Sequence, residues 1–307
     1  MPLTVPNPRT RESLPSSAAQ PSRLHSIPAL SASPPPLLVR VLRFWHLASF
    51  DAPTVAAVWS LAFAWIVRVR LPLWGLALQI LVVWVVYVGD RLLDARAGLR
   101  RWSRHGLRER HNFHWRRRRL LIPLAVAAAL ASAFIALRWM PLRVTERDSV
   151  LGLASLAYFT RVHAGGVRHR RSRLFSKELL VGVLFTIGCA LPAWSRSGLL
   201  PIAAPALFFA AVAWLNCRAI DRWEAEAPSG RTFRIAAPIA AAGAASALVL
   251  SAAQPRAAAL VAAGAISALL LALLDRAAPR LKPVTLRALA DFVLLVPALL
   301  FLGGLPR

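Results

Sequence analysis

The apolar positions of this chain fall in long continuous runs that short polar segments separate. Nine of these runs approach the roughly 20 residues that a helix needs to cross the apolar core of a bilayer. The pattern therefore predicts an all-α integral membrane protein, a bundle of about nine transmembrane helices. The predicted spans cover residues 49–67, 71–89, 120–138, 149–165, 178–195, 199–215, 233–252, 257–274 and 286–303.

The basic residues between the runs alternate between rich and poor segments. Around the ends of the second, fourth, sixth and eighth runs, Lys and Arg number 11 in 90–119, 6 in 161–177, 4 in 216–234 and 4 in 275–287. Around the ends of the first, third, fifth and seventh runs they number 2, 3, 1 and 1, where the 3 includes Arg138. Because cytoplasmic loops carry the excess of Lys and Arg, this alternation predicts a cytoplasmic N-terminus and an exterior C-terminus. We expect the protein in the inner (plasma) membrane, with its active site facing the cytoplasm.

The segment before the first run has a different composition. It is rich in Pro and Ser and contains no apolar stretch long enough for a signal peptide. We interpret residues 1–44 as a disordered cytoplasmic tail and residues 45–307 as the transmembrane domain.

The overall charge raises nucleic-acid binding as an alternative. The 307 residues are 57% hydrophobic and carry a formal net charge of +25. The arginines, however, cluster in short segments between runs of membrane-spanning length, whereas a nucleic-acid domain would carry them on a soluble fold. No nucleic-acid partner is therefore expected. Cys189 and Cys217 have neither metal-site nor disulfide-framework spacing.

Two pairs of acids stand where predicted spans end. The stretch GDRLLD closes the second span with Asp90 and Asp94, and AIDRWE follows the sixth span with Asp221 and Glu224. On continuing helices both spacings place the acids on one face. Carboxylates at a helix C-terminus face the negative end of the macrodipole, so a cation should offset them. Mg²⁺ is one candidate, since one or two carboxylates and substrate phosphates typically hold it.

These motifs resemble those of the UbiA-type intramembrane prenyltransferases, over residues 45 to 303. Members have nine transmembrane helices and two Asp-rich motifs that close the second and sixth helices on the cytoplasmic side. The resemblance implies that the four acids bind Mg²⁺ and are catalytic. The stretch SKELLVGVLFTIG resembles the family's segment before helix five and makes Lys177 a diphosphate contact, and RERHNFHWRRRR takes the place of the basic segment after the first motif.

Further diphosphate contacts are expected from cations and polar groups near the two motifs: Arg91, Arg222, His114 and Asn216. His111 lies three residues before His114 and could act with it, although solvated histidines are the simpler interpretation. Arg287 and Asp291, four residues apart in the ninth run, are interpreted as a structural ion pair.

Both motifs depart from the family pattern. Val86 stands where the first motif has Asn, and Ala225 stands where the second has an acid, with Glu224 and Glu226 beside it. These departures indicate a divergent branch.

The resemblance implies a transferase that ionises an isoprenyl diphosphate and passes the prenyl group to a small lipophilic acceptor, often an aromatic ring, within the lipid bilayer. A catalytically inactive relative that binds an isoprenoid lipid or scaffolds a membrane complex is the alternative from another class. A transporter is a third hypothesis. It fits less well because the runs are mostly uninterrupted and their charges lie at the ends.

Overall fold

The structure is a computed structural model. It describes residues 36–101, 108–142, 144–146, 149–150, 152–153, 177–225 and 230–301. Residues 1–35 of the predicted tail lie outside the described part of the chain. The first described helix begins at Leu37, within the last residues of that predicted tail. The predicted fourth span, 149–165, lies almost entirely outside the described residues, and Glu226 lies outside them.

The described part of the chain is built from α-helices and short 3₁₀ segments, in agreement with the all-α prediction. The helices are α1 (Leu37–Leu47), α2 (Asp51–Ile66), α3 (Leu73–Arg101), α4 (Glu109–Arg116), α5 (Arg118–Trp139), α6 (Lys177–Ser197), α7 (Ala203–Ala225), α8 (Arg231–Ser251), α9 (Pro255–Ala277) and α10 (Pro283–Phe292). The 3₁₀ segments are Leu200–Ile202, Ala278–Arg280 and Val293–Phe301.

Seven segments of the described chain are long and apolar enough to cross a membrane. They correspond to the second, third and fifth to ninth predicted spans. The first predicted span corresponds to α2, which meets α1 at an angle of 89°, and this bent pair would make an eighth span if it crosses the membrane as one unit. The protein is thus a multi-pass α-helical membrane protein. Its outer surface is apolar, as lipid contact requires: Leu207, Leu248 and Val249 are 74%, 76% and 79% exposed.

The charged residues gather at one end of the bundle, which we call the charged end. The C-termini of α3 and α7 and the N-termini of α5 and α10 lie there, joined by contacts through α4. At the other end, Arg196 donates to the Arg70 carbonyl at 2.7 Å and Arg256 donates to the Trp65 carbonyl at 2.9 Å. The helices therefore alternate in direction between an arginine-rich end and an arginine-poor end.

Aromatic side chains fill the centre of the bundle. The buried rings of Trp59 and Phe209 stack with centroids 3.7 Å apart, and Phe63 packs against both. The Trp59 indole N–H donates to the Leu294 carbonyl at 2.9 Å, so the most buried polar atom of this cluster has a partner. These contacts join α2, α7 and the last 3₁₀ segment.

Glycine allows two helices to approach closely. A Cβ on Gly182 of α6 would lie 2.9 Å from the backbone nitrogen of Trp214 in α7, closer than such atoms can pack. Small residues at helix contacts serve this purpose in membrane bundles. The α6–α7 pair is therefore fixed at a backbone distance that a larger residue would not permit.

Candidate functional site

The short helix α4 contacts the first acidic motif. The 29 residues of α3 span about 43 Å, so this helix extends beyond a bilayer core of about 30 Å. Asp90 and Asp94 lie on its terminal part and are half-buried. The His111 ring on α4 has its Nε2 3.8 Å from Asp94 Oδ2.

The same short helix contacts the second motif. Glu224, whose side chain is only 4% exposed, forms ion pairs with Arg108, Arg110 and Arg287, the Arg110 contact measuring 3.3 Å. Adjacent residues of α4, Arg110 and His111, thus reach the acids at the ends of α7 and α3. The two motifs, 127 positions apart from Asp94 to Asp221 in the sequence, thus each contact α4 at the charged end.

Basic side chains outnumber acidic ones around Glu224. Three guanidiniums, those of Arg108, Arg110 and Arg287, contact this one carboxylate. Burial is the main cause that lowers the pKa of Arg110 to about 9 and the pKa of His111 to about 3, and neighbouring arginines add to it. Because three guanidiniums meet one carboxylate, this part of the site should attract an anion.

His114 fixes α4 to the bend between α1 and α2. It is fully buried; its Nδ1 donates to the Arg110 carbonyl at 2.8 Å, and its Nε2 lies 3.1 Å from the Ser49 hydroxyl. Since a carbonyl only accepts, Nδ1 carries a proton. Burial lowers the pKa of His114 to about 4, so the ring is neutral and Nε2 accepts from the Ser49 hydroxyl. Ser49 has a positive φ of 63°, which is uncommon for a residue with a side chain. His114 therefore stabilises a strained corner.

A second polar cluster lies deeper, where α1, α2 and α10 meet. Asp51 Oδ2 accepts from Arg91 Nη2 at 3.1 Å, and His46 Nδ1 lies 2.7 Å from Asp51 Oδ2 and 3.3 Å from Asp291 Oδ2. Asn216 Nδ2 donates to Asp291 Oδ1 at 3.0 Å. Among the described residues, His46, Asp51 and Asp291 form the one group of three His, Cys, Asp or Glu side chains whose ligand atoms lie close enough to share a metal ion.

The candidate residues predicted from sequence thus divide between two places. Asp90, Asp94, Glu224 and His114 lie around α4 at the charged end, whereas Arg91 and Asn216 belong to the deeper cluster and are buried. Asp221 is 55% exposed and has Arg218 at 3.7 Å. Arg222 is half-buried next to it, and Lys177 is exposed at the start of α6.

The sequence predicts an ion pair between Arg287 and Asp291, but the structure places each of them beside other partners. Arg287 pairs with Glu224 of α7, and Asp291 lies beside His46 and Asn216. His46 and Asp51 were missed in the sequence. Their signal was an acid in the first turn of the first predicted span, five residues after a histidine, but nothing in the sequence links that span to residue 291.

The fold and the site define a class: a multi-pass α-helical membrane protein with a buried, arginine-rich polar site at one end of its bundle. Comparison with family models, with curated proteins and with solved structures gives no match for this chain.

Proposed function

We propose that the chain is a magnesium-dependent prenyltransferase of the UbiA type, divergent in both motifs. It ionises an isoprenyl diphosphate at the cytoplasmic side of the plasma membrane and transfers the prenyl group to a small lipophilic acceptor. The observation that carries this proposal is the contact of α4 with both acidic motifs, through His111 to Asp94 and through Arg110 to Glu224.

The first motif suits a magnesium ion better than the second does. Magnesium is held by one or two carboxylates together with substrate phosphates and water, and Asp90 and Asp94 are half-buried acids on one helical face. Glu224 suits it poorly because three guanidiniums already surround its carboxylate. We therefore assign the ion to Asp90 and Asp94, keep Asp221 as a further candidate ligand, and give Glu224 the role of positioning the arginines.

The chain's own residues would act mainly on the leaving diphosphate. Magnesium, when bound, supplies Lewis-acid neutralisation of that group. Arg108 and Arg110, held by Glu224, would donate to phosphate oxygens, and Lys177 and Arg222 would add positive charge at the same end. The three guanidiniums around the one Glu224 carboxylate support this assignment, because a bound anion would offset the excess of positive charge. The apolar bundle would exclude water from the prenyl cation.

His114, Arg91 and Asn216 have a different role in this proposal. Each uses its polar atoms on buried neighbours, namely Ser49 and the Arg110 carbonyl for His114, Asp51 for Arg91, and Asp291 for Asn216. We therefore treat these three as positioning residues that hold α4 and the ends of α3 and α7 in place.

One observation favours the alternative, an inactive relative that binds an isoprenoid lipid or scaffolds a complex. The Glu224 carboxylate has three basic partners within the protein, so the second motif is compensated without any ligand. A network that is complete by itself needs no metal.

Thermal stabilisation of the detergent-purified protein by geranylgeranyl diphosphate, with and without Mg²⁺, tests the proposal. Ligand at about a hundred times its Kd should add roughly 2.7 kcal/mol. The magnesium-dependent part should be lost in Asp90→Asn and kept in Glu146→Gln, an exposed acid beyond the far end of α5. A shift that depends neither on magnesium nor on Asp90 would favour the lipid-binding alternative. No shift would contradict the transferase and the lipid-binding relative and would favour the scaffold.

A further inference from the structure

The deeper polar cluster is separate from the proposed diphosphate site and contains metal-ligating side chains from three helices. His46 ends α1, Asp51 begins α2, and Asp291 lies near the end of α10. One nitrogen or oxygen atom from each of these three side chains can be chosen so that all lie within 4.8 Å of one another. Metal–ligand bonds of about 2.0 to 2.2 Å place neighbouring ligand atoms roughly 3 to 4 Å apart. The 3.3 Å from His46 Nδ1 to Asp291 Oδ2 lies in this range, whereas the 2.7 Å from His46 Nδ1 to Asp51 Oδ2 would have to lengthen slightly for both atoms to bind one ion.

The orientation of His46 points to a ligand. The residue is 1% exposed, and neither ring nitrogen has a partner in hydrogen-bond geometry. Its Nδ1 nonetheless lies 2.7 Å from Asp51 Oδ2 and 3.3 Å from Asp291 Oδ2. A buried polar group without a hydrogen bond is costly. The Nδ1 atom thus lies close to one carboxylate oxygen of each acid, a placement that a shared cation would stabilise.

The charges of the cluster also call for a cation. Asp51 and Asp291 bring two negative charges. Among the described residues, Arg91 is the one arginine shown in contact with these acids, since Arg287 pairs with Glu224. One negative charge is left in a buried place, where it is expensive. A proton on His46 or a metal ion can offset it.

Neighbouring groups hold both carboxylates from outside. Asp51 accepts from Arg91 and, at 3.0 Å, from the Ala52 backbone N–H, while Asp291 accepts from Asn216. Outer hydrogen bonds of this kind fix the orientation of ligating carboxylates in metal sites.

We propose that His46, Asp51 and Asp291 bind one divalent transition-metal ion that cross-links α1, α2 and α10. One imidazole with two carboxylates is a mixed nitrogen and oxygen donor set that suits Zn²⁺, Mn²⁺ or Fe²⁺ and is unlike the all-oxygen set of magnesium. The ion joins the corner between α1 and α2 to a helix about 240 positions later in the chain. This site does not depend on the proposed prenyltransferase activity.

The first test is a measurement on the unmodified full-length protein, purified in detergent without a polyhistidine tag. Elemental analysis should find close to one equivalent of a transition metal. After chelation, titration with Co²⁺ should produce visible d–d absorption that saturates at one equivalent and should raise the thermal midpoint. No bound metal together with no Co²⁺ absorption would overturn the proposal and leave a proton on His46 as the counter-charge.

Variants assign the ion to these residues. Asp291→Asn and His46→Gln should each weaken Co²⁺ binding by at least about a hundredfold, since loss of even an outer partner typically costs about 10- to 100-fold. Asp90→Asn, a matched change in the proposed magnesium site, should leave the Co²⁺ absorption unchanged. Absorption that survives in Asp291→Asn or disappears only in Asp90→Asn would contradict the assignment. If His46→Gln does not fold, the Co²⁺ affinity of Asp291→Asn and the number of metal equivalents bound by the wild type still test the assignment.

The two proposals fail independently. A magnesium-dependent response to geranylgeranyl diphosphate that is kept in Asp291→Asn and lost in Asp90→Asn supports the transferase whatever the Co²⁺ result. Co²⁺ absorption that is lost in Asp291→Asn, without any magnesium-dependent response to the diphosphate, supports the buried metal site alone.

Discussion

Among the described acids of the site, Glu224 has the largest number of basic partners. Its carboxylate contacts Arg108 and Arg110 at the start of α4 and Arg287 on α10, and its side chain is almost wholly buried. Removing one member of a buried ion network leaves the others uncompensated, which typically costs about 3 to 5 kcal/mol.

Glu224→Gln should therefore destabilise the protein by about 3 kcal/mol, as measured by thermal or denaturant unfolding in detergent. Asp221→Asn, three positions earlier in the same motif, should change stability by less than about 0.5 kcal/mol because the Asp221 side chain is exposed. Equal losses in the two variants would contradict the burial and pairing described for Glu224.

His114 should make stability depend on pH. Burial is the main cause that lowers its pKa to about 4, and Arg91 and Arg110 add to it. In the unfolded chain its pKa is about 6.5, so below that value the unfolded state binds a proton that the folded state does not. Stability is then fully present above pH 6.5 and is lost as the pH falls towards 4, by at most about 1.4 kcal/mol per pH unit.

The measurement is the difference between wild type and His114→Gln in thermal stability from pH 7.5 to 5. Other titrating groups are common to both proteins and cancel in this difference. We expect a shallower pH dependence for His114→Gln, together with a lower stability at pH 7.5 because the bond to Ser49 is altered. Parallel curves would show that His114 does not carry the effect.

At the scale of elements, the contact between α6 and α7 depends on the absence of one side chain. Gly182→Ala places a methyl group 2.9 Å from the Trp214 backbone nitrogen, and a backbone cannot move aside as a flexible side chain can. Overpacking of this kind costs about 1 to 3 kcal/mol. We expect a lower thermal midpoint for this variant.

Gly188→Ala is the matched control on the same helix, because nothing lies within 4 Å of the added Cβ. This change should be neutral or stabilising by up to about 1 kcal/mol, since Ala favours the helix over Gly. If Gly182→Ala proves as stable as Gly188→Ala, the two helices are not in the close contact described.

For the whole molecule, the alternating directions of the helices predict which residues share a side of the membrane. Arg280 lies at the charged end, whereas Ser195 and Ser251 lie at the other end, and all three are exposed. Because Lys and Arg are enriched in cytoplasmic loops, we predict that the charged end faces the cytoplasm.

Single cysteines at these positions, in a background with Cys189 and Cys217 replaced by Ala, test this topology in intact cells. A membrane-impermeant thiol reagent should label Ser195→Cys and Ser251→Cys and should reach Arg280→Cys only after the cells are opened. Labelling of all three from one side would contradict the alternation, and the inverse pattern would reverse the orientation.

The sequence by itself determined the class of fold and most of the spans. Apolar runs of membrane length can only be helices in lipid, since every backbone polar group must find its partner within the segment. That constraint is local, and so seven of the predicted spans reappear with similar bounds. The acids at the ends of α3 and α7 were visible for the same reason, as charges that interrupt an apolar pattern.

Only the tertiary structure decided which charges meet. Arg287 was four positions from Asp291 in the sequence, yet it pairs with Glu224, while Asp291 joins His46 and Asp51 across the bundle. Spacing along a helix fixes the face on which a side chain lies, but the neighbouring helix on that face depends on how the bundle packs. The deeper cluster therefore had no signal in the sequence beyond isolated polar residues, because it exists only where α1, α2 and α10 come together.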